Sequence, residues 1–149
     1  MLEGNSIQVD LIHADLTDRI IDASAEVHRA LGPGLLESAY ESCLAHELAL
    51  REIDFARQVD LPVEYKGHRV DCGFRIDLLV GDSVVVELKS VERALPVHEA
   101  QLLTYLKLTR RPVGLLINFN VARLKDGIIR RALTRNLDPS LGGPPCPSR

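Results

Sequence analysis

Apolar residues recur at helical spacing over residues 16–31, where Leu16, Ile20, Ala23, Val27 and Leu31 share a face. Asp15 or Thr17 can cap the start of this helix, and Gly32 ends it. The Gly32-Pro33-Gly34 turn breaks the chain. A second stripe of Leu36, Tyr40, Leu44 and Leu48 predicts a helix over about residues 35–51. The period then changes. Residues 55–65 read as a strand ended by Lys66-Gly67, residues 70–80 as a second ended by Gly81-Asp82, and residues 83–89 as a third centred on Val84-Val85-Val86. Turns this short predict an antiparallel meander. Ala100, Leu102, Leu103 and Leu106 mark a third helix over residues 96–109. The apolar run at 113–119 then reads as a buried strand that a helical crossover places parallel to its neighbour. Residues 121–133 predict a last hairpin around Lys125-Asp126-Gly127. The expected fold is a single α/β domain over residues 1–135, in the order α-α-β-β-β-α-β-β. Residues 136–149, with Asp138-Pro139, Gly142-Gly143 and Pro144-Pro145, are expected to form a disordered tail.

Composition narrows the function classes. A net charge of −3 argues against coating nucleic acid through a global positive field, but leaves room for a few placed cations around an acidic site. No apolar run approaches the ~20 residues needed to span a bilayer. Residues 1–10 lack a basic start followed by an apolar stretch, so a cytoplasmic location without membrane association is expected. Cys43, Cys72 and Cys146 form no Cys-x-x-Cys pair, and the five histidines form no His-x-x-x-His pattern, which leaves zinc unsupported.

The candidate chemistry lies in the meander. Glu87 and Lys89 are two apart on one strand and point to one face. Asp77 lies on the preceding strand, across a short turn. Two carboxylates brought together repel unless a proton or a cation joins them, and oxygen ligands of this kind suit Mg²⁺ or Mn²⁺. The competing reading is a half-exposed strand whose Glu87 and Lys89 face water. Glu37 opens the second helix, where the dipole favours a carboxylate, but it can also reach inward to a metal. Gln101 and Tyr105 stack four apart on the third helix, as a polar face or as groups that orient a phosphate or water. Arg75, two residues before Asp77, suits a salt bridge or a substrate phosphate. Arg110 and Arg111 suit a helix end or the substrate, Lys107 and Arg123 are further basic candidates, and His98 reads as structural.

These segments together resemble a known family. Gly34-Leu-Leu-Glu37-Ser-Ala-Tyr40 resembles the signature of the GxxExxY proteins, a branch of the PD-(D/E)XK nuclease superfamily. The stretches around Asp77, Val86-Glu87-Leu88-Lys89, Gln101-Leu-Leu-Thr-Tyr105 and Val113–Asn118 are similar to that family in order and spacing. Ile76-Asp77 stands where the superfamily name has Pro-Asp. The resemblance implies a restriction-endonuclease-like core, a mixed sheet flanked by helices. It implies a Mg²⁺ or Mn²⁺ ion on Asp77, Glu87 and the Leu88 carbonyl, assisted by Glu37. It implies that Lys89 acts on the attacking water, and that Gln101 and Tyr105 form the Gln-x-x-x-Tyr motif of RecB-type exonuclease domains. The expected activity is metal-dependent hydrolysis of nucleic acid, DNA ahead of RNA, with a homodimer as a candidate assembly. The alternative is a non-catalytic nuclease-fold module that binds nucleic acid or a protein partner.

Overall fold

The computed structural model describes residues 2–71 and 73–133. The expected tail at 136–149, Cys72 and Cys146 lie outside the described residues. Helices α1 (Leu2–Leu31) and α2 (Glu37–Leu50) are followed by strands β1 (Phe55–Asp60), β2 (Val63–Tyr65), β3 (His68–Val70), β4 (Arg75–Val80) and β5 (Val84–Lys89). Helix α3 (Pro96–Thr109), strand β6 (Val113–Asn118), a 3-10 turn (Leu124–Gly127) and strand β7 (Ile128–Ala132) complete the order. The main sheet runs β1-β4-β5-β6-β7; β5 and β6 are parallel and the other pairs antiparallel. This is the mixed sheet flanked by helices that the family resemblance implies.

Three details correct the sequence reading. Helix α1 begins near residue 2 rather than 16, and the buried Ile20, Ala23 and Val27 lie in the part that the apolar stripe marked. Each of the first two expected strands divides in two. The first divides at Leu61-Pro62, where proline cannot donate to a ladder, and the second between Val70 and Arg75. The freed pieces, β2 and β3, form a separate hairpin around Lys66-Gly67. The expected final hairpin is one strand only: β7 pairs with β6, and the segment before it is a 3-10 turn.

Burial explains the layering. Ile20, Ala23 and Val27 of α1 and Leu44 and Leu48 of α2 pack on Leu78, Val86 and Leu115 from one face of the sheet. Leu102, Tyr105 and Leu106 of α3 pack on Val85 and Leu116 from the other. The central strands β5 and β6 are therefore covered on both faces, as their continuous apolar runs require. Gly114 lets α3 approach, since a Cβ there would stand 2.7 Å from Leu102 Cδ1. Among the described residues no helix is long and apolar enough to cross a membrane.

The turn before α2 is pinned by Tyr40. Its ring stacks on Phe119 at 4.5 Å. Its hydroxyl donates to the Gly32 carbonyl and accepts from Leu35 N–H. Gly34 holds a φ of 104°, which disfavours side-chain-bearing residues. Gly34 and Tyr40 are thus the devices that aim the start of α2, where Glu37 sits. Tyr40→Phe keeps the stack and loses both hydrogen bonds. It is expected to cost about 1–2 kcal/mol, read as a fall of roughly 3–6 °C in thermal denaturation.

Candidate active site

The ladder between β4 and β5 ends at Leu78↔Val86. The next pair in register would be Asp77 and Glu87, and there the side chains replace the missing backbone partners. Asp77 N donates to Glu87 Oε1 at 3.1 Å, and Leu88 N donates to Asp77 Oδ2 at 2.8 Å. The two carboxylates predicted to meet across the turn therefore do so. A strand residue sends its N–H and C=O to the same neighbour, so the Leu88 carbonyl lies on the Asp77 side.

The splayed strands open a cleft of about 680 Å³. Glu37 and Glu41 of α2, Asp77 of β4, Glu87 and Lys89 of β5, and Gln101 and Tyr105 of α3 all line it. Residues from both faces of the sheet reach one space because the strand pleat switches there. Phe55 packs with the α1–α2 core and Val59 with the α3 core, although residues an even number apart normally share a face. Leu78 and Ile76 on β4 divide the same way. Gln58, between Phe55 and Val59, holds a φ of 49°, and it falls opposite Asp77 in a register that stays unbroken on either side.

Gln58 and Glu41 also line the cleft, and the sequence reading named neither as a site residue. Glu41 is 8% exposed. It accepts two hydrogen bonds from Arg57 and one from the Gln58 amide, and the same amide reaches Asp77 Oδ1 at 3.4 Å. Glu41 was legible in part, being four residues after Glu37 and beside the buried Tyr40. Nothing in the sequence marks Gln58 as left-handed. Such backbone costs about 1–3 kcal/mol and persists where its surroundings hold it. Gln58→Gly is expected to raise thermal stability by releasing this strain. It is also expected to lower metal affinity or turnover about 10- to 100-fold by freeing Asp77 and Glu41. Denaturation and metal titration of the same sample check both halves.

Charge in the cleft is unbalanced. Burial, then the neighbouring Asp77 carboxylate, pushes Glu87 up to about 8. Burial raises Asp77 as well, and the charge of Glu41 adds to it. Burial followed by Glu87 raises the Tyr105 phenol. Lys89 opposes the shifts on both acids, yet it makes no direct ion pair among the described residues. No group of three or more His, Cys, Asp or Glu side chains gathers in metal-binding geometry among the described residues. Two carboxylates and a backbone carbonyl are nevertheless a fitting set for Mg²⁺ or Mn²⁺, which complete their shell with water and substrate oxygen. Among the described residues Asp77 Oδ1 has only the long contact from Gln58, which leaves it open to such an ion.

The remaining candidates separate. Glu37 is exposed, on the α2 wall of the cleft, and is not gathered with Asp77 and Glu87 as a third ligand; it opens the helix, one turn before the buried Glu41. Gln101 Nε2 donates to the Tyr105 hydroxyl at 2.8 Å. Arg75 lines the cleft and pairs with Asp60 at 3.3 Å, an exposed bridge worth about 0–1 kcal/mol that a phosphate can displace. Arg110 and Arg111 lie elsewhere. Arg110 closes α3 with a φ of 57°. Arg111 pairs at 2.7 Å with Asp82, in the turn before β5, whereas Lys89 ends that strand roughly 20 Å away. His98 accepts from Leu95 N–H at 3.0 Å and caps α3, the structural role expected of it. Buried Asn118 bonds the Val91 N–H and C=O and so ties down the loop after Lys89.

A family model described as the PD-(D/E)XK nuclease superfamily matches residues 14–131. Comparison with curated proteins and with solved structures gave no match. The matched stretch contains every cleft residue named above and most of the chain. The chain belongs to the PD-(D/E)XK nuclease superfamily.

Proposed function

We propose that this protein is a Mg²⁺- or Mn²⁺-dependent nuclease that hydrolyses phosphodiester bonds in nucleic acid, with DNA favoured over RNA. The observation that carries this reading is the replacement of a ladder pair by Asp77 and Glu87, which sets two acids and Lys89 in one open cleft. Asp77, Glu87 and the Leu88 carbonyl hold the ion, with Glu37 and Glu41 adding negative charge to its surroundings. A bound divalent ion supplies charge neutralisation at the phosphate and a more acidic water. Lys89, which has no carboxylate partner among the described residues, places a cation where negative charge builds on the phosphate and holds the attacking water. The Gln101–Tyr105 pair presents an amide and a phenol to a phosphate oxygen, and Arg75 exchanges Asp60 for the backbone of the strand.

Purified protein incubated with single- and double-stranded DNA and RNA, with Mg²⁺, Mn²⁺ or EDTA, tests the reading. Cleavage that requires metal and disappears in Asp77→Asn supports it. Calorimetry that shows no metal binding, with every substrate intact, would replace it with a non-catalytic nucleic-acid-binding or protein-binding module.

A further inference from the structure

Phe74 belongs to two depressions at once. It lines the acidic cleft and also an adjoining groove of about 390 Å³ between β2 and α3. Val63, Val97 and Leu108 wall this groove, and none of its lining residues is Lys, Arg, Asp or Glu. Gln101 and Tyr105 line both spaces, so the groove continues directly from the cleft. The Phe74 ring stands 6.5 Å from the Tyr105 ring, tilted by 58°. Phe74 is nonetheless 42% exposed and Val97 63% exposed. Leu36, on the α2 wall of the cleft, is 76% exposed. Large apolar side chains held open beside a charged cleft mark a binding surface.

A nucleic-acid strand carries the matching two-part chemistry. Its phosphates seek cations, and its bases offer flat apolar faces that stack on aromatic rings whatever their sequence. Bases inside a duplex have those faces covered by their neighbours. An uncharged groove with a ring at its junction with the cleft therefore fits an unpaired base. We propose that the groove is a subsite for one unpaired nucleobase next to the scissile phosphate. Phe74 is its stacking platform, and single-stranded or frayed nucleic acid is the preferred substrate. The assignment rests on the nuclease reading for the position of the phosphate.

The test separates binding from cleavage. Full-length Lys89→Ala protein in Mg²⁺ is titrated with short single-stranded DNA and RNA carrying 2-aminopurine at successive positions, and with blunt duplex. The expected result is quenching confined to one position and single strands bound more tightly than duplex. Adding Phe74→Ala weakens single-strand binding roughly 5- to 100-fold, Phe74→Trp restores it, and duplex binding does not change. In the Lys89-containing protein, Phe74→Ala raises KM for single strands more than it lowers kcat, and an abasic site at the quenched position removes the difference. Phe74 is partly exposed, so thermal denaturation of Phe74→Ala and Phe74→Leu confirms intact folding. Single-strand affinity untouched by Phe74→Ala, or duplex bound more tightly than single strands, overturns the subsite. Cleavage by the wild type with that null result removes the subsite and leaves the nuclease. The expected binding pattern without cleavage by any metal-loaded sample removes the nuclease and leaves the subsite.

Discussion

Lys89→Ala is expected to lower metal-dependent phosphodiester cleavage by roughly 10²–10³-fold, the cost of removing one preorganised group that faces charge developing in a transition state. Asp77→Asn is expected to lose at least as much, for a different reason. Its amide oxygen still accepts from Leu88 N–H, so the strands stay joined, but the charge that draws a cation is gone. Calorimetry distinguishes the two. Lys89→Ala keeps metal affinity, because Lys89 contributes no ligand and its removal takes away a competing positive charge. Asp77→Asn binds metal at least tenfold more weakly. Lys89→Arg keeps the charge with a larger, more rigid head and is expected to recover only a fraction of the rate. Wild-type turnover by Lys89→Ala would show that cleavage arises elsewhere.

Glu87→Gln is expected to stabilise the metal-free protein at alkaline pH. Glu87 is 5% exposed, and its pKa rises from 4.5 to about 8 on folding. The folded state therefore binds the proton more tightly than the unfolded one. Below about 4.5 the group is protonated in both states and costs nothing. As pH rises towards 8 the unfolded chain releases the proton and the folded chain resists, so stability falls. Above about 8 the full penalty is present. The shift corresponds to a penalty on the order of 3–5 kcal/mol. Glu87→Gln removes it while its amide oxygen still accepts from Asp77 N–H. Melting temperatures of variant and wild type are expected to coincide near pH 4 and to part by about 5–10 °C near pH 9. Saturating Mn²⁺ is expected to close the gap by stabilising the wild type, since an ion that binds only the folded state adds stability by mass action. A variant no more stable than wild type at pH 9 would mean that Glu87 is not a buried, electrostatically costly acid.

Much of this arrangement was legible in the residues because it depends on period and on short turns. Gly81-Asp82 forces β4 against β5, and that constraint alone brings position 77 to position 87. The 96–109 helix and the parallel pairing after it followed from the change in apolar period. The split of the first early strand hinged on Leu61-Pro62, which was read through as part of a longer run. The reading of α1 began at Leu16 although Ile12 stands four residues before it at the same spacing, so the extension of the helix was missed. Gln58 and Glu41 are a different kind of omission. Their roles depend on a backbone angle and on contacts between β1 and α2, and neither is encoded in local spacing. Arg110 and Arg111 were read as either a helix end or a substrate contact; they follow α3, away from Lys89, and charge alone does not choose between the two roles.

The hydrogen bonds at the end of the β4–β5 ladder make the same oxygen atoms serve architecture and chemistry. Leu88 N–H and Asp77 N–H each depend on an acidic side chain rather than on a main-chain carbonyl. A descendant of this protein that gave up the two negative charges would still be under pressure to keep an acceptor at both positions. Its decay would pass through asparagine and glutamine before alanine, and an intact-looking pair of oxygens would outlast the charge.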